Sequence, residues 1–237
     1  YAGTTSVDTG ESTLAAQTLS EDINAVQYLQ QVTNSEQGYL YVDRSGQMRF
    51  ENRYGPISSA PTVTFSDDGS DVPYQEIGRN LVSAELFNRL TANRTGAATK
   101  TANDPASQAS YGIRLLALGE VLLTDDTTVT NMLDFLMVQT ASTEVRIDSL
   151  TAILDTQSSG TQNTVAQLEL ADAVTVEFTP PGVSQQTTNG TVQQIGHTFT
   201  VGETWRVNLG MTPRDITSYL TLDNATLGRL DHNSLGF

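Results

Sequence analysis

Glu36 precedes Tyr39 and Tyr41 by a few residues. A carboxylic acid beside aromatic rings is the pairing a glycosidase uses: the acid protonates a leaving oxygen and the rings hold sugar faces. A second carboxylate must oppose it, and spacing does not supply one. With 27 acidic residues in the chain, local carboxylate pairs arise by chance, so a helix-terminal surface residue is the plainer reading of Glu36. Of the two histidines, His197 shares strand parity with Ile195 and Phe199, as a structural or partner-facing ring would, and His232 has no ligand set near it. The H-E-x-x-H zinc pattern and the G-x-S-x-G nucleophile elbow are both absent. Asp67-Asp68-Gly69-Ser70-Asp71 offers hard oxygen ligands, yet no glutamate closes an EF-hand loop; a solvated acidic turn explains it better. Tyr28, Tyr39, Tyr41, Tyr54, Tyr74, Trp205 and Tyr219 can line a sugar site or serve as core and interface anchors. No cofactor, metal or catalytic set is expected.

Charge narrows the partners. The formal net charge is -15, from 27 acidic and 12 basic residues, and Lys100 is the only lysine. The acidic excess is spread along the chain rather than gathered in a tail. A nucleic-acid binder needs clustered Lys and Arg, which the sequence lacks. The same surplus opposes docking on an anionic membrane. No cysteine is present, which removes thiolate catalysis, disulfides and zinc–thiolate sites. No apolar run is long enough to span a bilayer, and the first residues show no basic-then-apolar leader pattern.

The elements that must position these residues follow from periodicity. Small polar residues 1–17 read as a linker or loosely held arm. The stripe Leu19, Ile23, Val26 and Leu29 predicts a helix over Leu19–Val32, with Thr18 and Glu21 at capping-box spacing. A hairpin follows over Tyr39–Val42 and Gln47–Phe50, turning at Asp43-Arg44-Ser45-Gly46; Leu40 and Val42 share a side with Met48 and Phe50. Short strands are expected at Val63–Phe65 and Val72–Ile77, and a further pair around Arg94-Thr95-Gly96. Asp104-Pro105 starts a brief helix ending at Gly112, and Ile113–Leu123 reads as a strand. A second principal helix spans Thr127–Thr140, burying Val129, Met132, Leu133, Leu136 and Met137. Ala141 onward turns to β structure, residues 156–164 form a polar gap, and Leu168 and Leu170 are placed on a strand. Val174–Phe178, Gly190–Val201, Thr204–Met211 and Tyr219–Leu222 complete the β structure. The expected class is α+β and β-rich: antiparallel sheets, two principal helices and a C-terminal sandwich or partly closed barrel.

Several segments together resemble a known family. Ile23-Asn24-Ala25-Val26-Gln27, then Glu36-Gln37-Gly38-Tyr39-Leu40-Tyr41-Val42-Asp43, then Met48-Arg49-Phe50-Glu51-Asn52-Arg53, resemble the helix, E-x-G-x-L-Y-V-D and F-x-x-R stretch of minor tail proteins of long-tailed bacteriophages. The run Asp104 to Arg114 is similar to that family's S-x-x-x-Y-G-x-R junction, and Val192–His197 with Trp205–Leu209 resembles its last barrel hairpin. The resemblance implies a baseplate or tail-tip hub protein, related to the barrel-containing hubs of contractile tails. Such proteins cap the tail tube, usually as a homotrimer, and join tail tube, distal tail and fibre proteins. It implies a virion location after synthesis in the bacterial cytoplasm, no enzymatic activity and no membrane anchor. DNA would pass through without specific binding, along an acidic channel wall that repels the duplex. Candidate interface or structural residues are Tyr39, Tyr41, Arg53, Tyr111, Arg114, His197 and Trp205. The alternatives are a receptor- or carbohydrate-binding module of the same particle and a cell-wall hydrolase using Glu36. The expected division is an arm at 1–17, a mixed hub-like region at 18–155 and a β-rich barrel or sandwich at 156–237.

Overall fold

The computed structural model describes residues 3–18, 24–80, 86–141, 146–200 and 204–213. Along the chain the elements begin β1 (Thr5–Val7), α1 (Ala25–Glu36), β2 (Tyr39–Val42), β3 (Met48–Glu51), α2 (Gly55–Ser58) and β4 (Val63–Ser66). Next come β5 (Val72–Asn80), β6 (Arg89–Arg94), β7 (Lys100–Asn103), α3 (Pro105–Tyr111), β8 (Leu115–Val121) and α4 (Asp126–Thr140). The last are β9 (Arg146–Ile153), α5 (Ser159–Ala166), β10 (Ala173–Phe178), β11 (Gln186–Phe199) and β12 (Trp205–Pro213). The α+β, β-rich class expected from the sequence is what the chain adopts.

Two compact units form, each from two stretches of chain: Tyr1–Gly55 with Arg79–Arg146, and Pro56–Gly78 with Ile147–Phe237. The sequence divisions at 17/18 and 155/156 fall elsewhere, because strands from the first half complete the barrel of the second. That barrel is closed, in the order β10-β11-β12-β9-β5-β4, and β4 pairs parallel with both β10 and β5. It is therefore a mixed barrel rather than a purely antiparallel one. Closure removes open edges, and inward residues fill the lumen. Phe65, Leu150, Val174, Val176, Val192, Val207 and Leu209 form the packed centre.

In the first unit, β1, β3 and β2 make one sheet and β7, β6 and β8 another. Helix α4 buries Val129, Met132, Leu133 and Met137 together with Leu90, Ala92, Val121 and Leu123, the stripe its sequence period predicts. Asp125 caps it, its carboxylate accepting from Thr128 N–H at 2.8 Å. The β2–β3 hairpin takes the expected register, Leu40 opposite Phe50 and Val42 opposite Met48, although Val42 is exposed.

Several expectations are corrected. Helix α1 begins at Ala25 rather than Leu19, since Asn24 caps it by accepting from Val26 N–H and Gln27 N–H. It runs on to Glu36 and stops where Gln37 adopts a left-handed φ of 58°. Leu19, Glu21 and Ile23 lie outside the described residues. Helix α5 begins inside the polar gap at 156–164, capped by Ser158 accepting from Thr161 N–H. One apolar residue anchors that helix: Val165 joins the barrel core, and Leu168 follows it there. Leu168 and Leu170 lie in the loop between α5 and β10, not in a strand. The arm expected at residues 1–17 includes β1, which pairs parallel with β3. Further on, Ala15 N–H donates to Leu122 O at 2.8 Å. The residues joining the expected strands Gly190–Val201 and Thr204–Met211, and the strand at Tyr219–Leu222, fall outside the described residues.

Candidate functional site

Glu36 sits at the last turn of α1 and is 2% exposed; Arg53 just after β3 is 4% exposed. Arg53 Nη2 lies 3.5 Å from Glu36 Oε2. The carboxylate also accepts from Glu11 N–H at 2.7 Å and Ser12 N–H at 2.9 Å. Both oxygens are thus committed to a strap of chain laid across them, with Arg53 donating to Ser12 Oγ as well. The guanidinium lies over the Phe135 ring, 5.5 Å from its centroid, and Tyr54 meets the same ring edge-on. Burial, followed by the charge of Glu36, raises the Glu11 carboxyl above its ordinary value. A burial-driven rise also holds the Tyr54 hydroxyl above its usual value. This is the chemistry of a buried structural charge that ties α1, the strap and β3 together. A general acid needs room for a leaving oxygen, and Glu36 gives its oxygens to backbone amides instead.

Beside it lies a cavity of about 310 Å3 with an almost wholly apolar lining, including Val7, Leu14, Leu29, Val32, Leu40 and Phe50. Glu36 and Ser12 reach its wall. Asp8 joins Glu36 in its lining, but hydrolysis needs two free carboxylates and Glu36 is held as described.

The other candidates are dispersed. Tyr41 donates its hydroxyl to Glu51 Oε1 at 2.6 Å, with Arg49 over its ring, and Tyr39 stands opposite Glu51 on the paired strand. Tyr111 ends α3 half-exposed. Arg114 acts through its backbone: its N–H donates to Asn88 Oδ1 at 2.8 Å and its carbonyl accepts from Asn88 and Arg89 N–H. Asn88 itself is fully buried and donates to Ser107 Oγ and Gly112 O. It is the polar pin of the α3–β8 junction, and sequence reading missed it because one asparagine among loop residues carries no periodic signal.

His197 and Trp205 do come together, in the second unit. Trp205 Nε1–H donates to His197 Nδ1 at 3.2 Å. Phe199 stacks on both, its ring 5.1 Å from Trp205 and 6.3 Å from His197, and is 67% exposed. Trp205 also leans on the barrel core. The result is an outward aromatic cluster at the end of the β11–β12 pair. At the other end of the barrel sheet, the acidic turn works internally. Asp67 accepts from Thr179 N–H and Asp68 from Ser66 Oγ and Ser70 N–H. Hydrogen bonds from Ser70 and then Ser66 push the Asp68 carboxyl far below the ordinary range. Among the described residues, no three His, Asp or Glu side chains gather as metal ligands do, and no helix is long and apolar enough to cross a membrane.

No protein-family model matches the chain, and no curated protein matches it in sequence. Solved structures do match. The tail protein from Neisseria meningitidis superposes with a TM-score of 0.55 over 88% of this chain at 10% identity. The 43 kDa tail protein of prophage MuSo2 from Shewanella oneidensis does so with a TM-score of 0.55 over 90% of this chain at 11% identity. This chain spans 60% of the length of each of them. The fold of this chain is therefore one that it shares with these tail proteins.

Proposed function

We propose that the chain is a structural, non-enzymatic component of a bacteriophage tail, placed at the tail tip or baseplate hub. The observation that carries this reading is the fold shared, across nearly the whole chain, with two tail proteins, one of them from a prophage. It is supported by Glu36, the best acid candidate, being locked in an internal ion pair. In this role the chain assembles as a ring of identical copies, three on the family resemblance, between tail tube, distal tail and fibre proteins. Part of the -15 charge faces a central channel, where like charge keeps passing DNA from sticking.

Purified particles from a host carrying this chain test the reading. Antibody against the chain is expected to decorate the tail end away from the head. Decoration elsewhere, or a chain absent from particles, would overturn it. A second reading draws on the exposed Phe199, Trp205 and His197 cluster: a receptor- or carbohydrate-binding face of the same particle. A glycan array probed with the whole chain separates the two, since the hub reading expects no retained glycan.

A further inference from the structure

Among the described residues, the β7-β6-β8 sheet ends in two unpaired edges, β7 and β8. On one side Arg89 N–H donates to Arg114 O at 3.1 Å; on the other Asp104 N–H donates to Asn88 O at 3.0 Å. Backbone groups alternate in direction along a strand. Leu115 and Ala117 therefore turn their N–H and C=O out of the sheet at the β8 edge, and Thr101 and Asn103 do so at the β7 edge. Among the described residues, no other strand pairs with either edge over these stretches.

We propose that the two edges join between copies of this chain, β8 of one copy pairing antiparallel with β7 of the next. Strand direction supports the joint. Strand β7 runs antiparallel to β6 and β6 runs parallel to β8, so β7 and β8 point in opposite senses. A neighbour carried round an axis lying roughly along the strands presents its β7 to β8 in the antiparallel sense, the more stable pairing. Two outward residues on each edge then meet, Leu115 facing Asn103 and Ala117 facing Thr101.

Charge supports it too. In a chain of net charge -15, Lys100–Asn103 and Leu115–Gly119 carry no Asp or Glu, so joining these edges brings no two carboxylates face to face. The β8 edge also lacks the usual defences. Edge strands are normally blunted by charge, proline or a bulge, whereas Leu115 is 54% exposed with Ile113 beside it at 63%. The bulge, where Gly119 takes a φ of 73°, lies beyond the proposed contact and sets its far limit. The joint uses two different surfaces, so it is heterologous and closes into a ring when the rotation allows. It rests on the reading of the chain as an assembling tail protein.

The natural absence of cysteine makes the test clean. Directly opposed antiparallel residues bring Cα atoms within disulfide range. The double variants Thr101→Cys with Ala117→Cys and Asn103→Cys with Leu115→Cys are expected to give disulfide-linked species larger than dimers on mild oxidation, while each single variant stays unlinked or stops at dimer. Leu115→Glu, a surface change, is expected to lower the sedimenting mass to that of the monomer with an unchanged circular dichroism spectrum. Folded double variants that link no better than the singles would overturn the joint. If the parent chain still assembles in that case, the joint lies elsewhere and the tail-protein reading, tested on particles, is untouched.

Discussion

Glu36 and Arg53 face each other 3.5 Å apart inside the first unit, both almost sealed from solvent. Removing one partner of a buried pair strands the other charge, which costs about 3–5 kcal/mol. Glu36→Gln is expected to lose stability of this order in urea unfolding. The double variant Glu36→Gln with Arg53→Met should lose less than the two single changes added together, because no lone charge remains. A hydrolase would behave otherwise: Glu36→Gln would keep its stability and lose an activity.

Gly38 lies where α1 gives way to β2. A Cβ there would come 2.5 Å from the Glu51 carbonyl oxygen and 2.9 Å from the Phe50 ring. The oxygen belongs to the paired strand and cannot step aside. Gly38→Ala is expected to destabilise the first unit by about 1–3 kcal/mol, read by chemical denaturation. Gly46, also a turn glycine but with open space around it, has no such clash, so its cost would come from its positive φ alone.

Asp68 has a carboxyl held low by Ser70 and Ser66. A group depressed in the folded state contributes stability above its unfolded value, near 3.9 for aspartate, and loses it as pH falls through the lower folded value. Asp68→Asn should therefore be less stable than the parent at neutral pH, with the gap closing below about pH 4. Thermal melts across pH 2–7 read this directly. A gap that widens in acid would contradict the hydrogen-bond assignment.

Phe199 and Trp205 separate surface from core within one aromatic cluster. Phe199 is 67% exposed, while Trp205 packs on the barrel. Phe199→Ser is expected to change melting by less than about 0.5 kcal/mol. Trp205→Ala should cost about 3–5 kcal/mol at most, as large buried aromatics do. If Phe199→Ser also lowers incorporation into particles while the fold is intact, the cluster is an assembly contact.

Elements whose own residues specify them were legible. The Asp43–Gly46 turn announced the hairpin, and the period of Val129, Met132, Leu133 and Met137 announced α4. Helix α5 escaped notice because its residues are Ser, Gly, Thr, Gln and Asn around Val165 alone; a cap and one buried contact hold it. The barrel was visible only in its C-terminal strands. Val63–Ser66 pairs with Ala173–Phe178, far along the chain, and no local pattern encodes such a partner. The contacts among the candidate residues were not legible, for the same reason. His197 and Trp205 were separate candidates in the sequence; the hairpin register, Phe199 opposite Trp205 and His197 opposite Val207, brings them together. Glu36 and Arg53 meet through the Gly10–Ser12 strap, whose small polar residues read as linker.

A cryo-electron reconstruction of the intact particle shows where the chain sits. Repeated copies of the barrel and its companion unit are expected around the axis at the tail end, with carboxylates toward the channel and Glu36 inside each copy. A particle without density for this fold, or a channel wall there lined by arginine and lysine, would contradict that expectation.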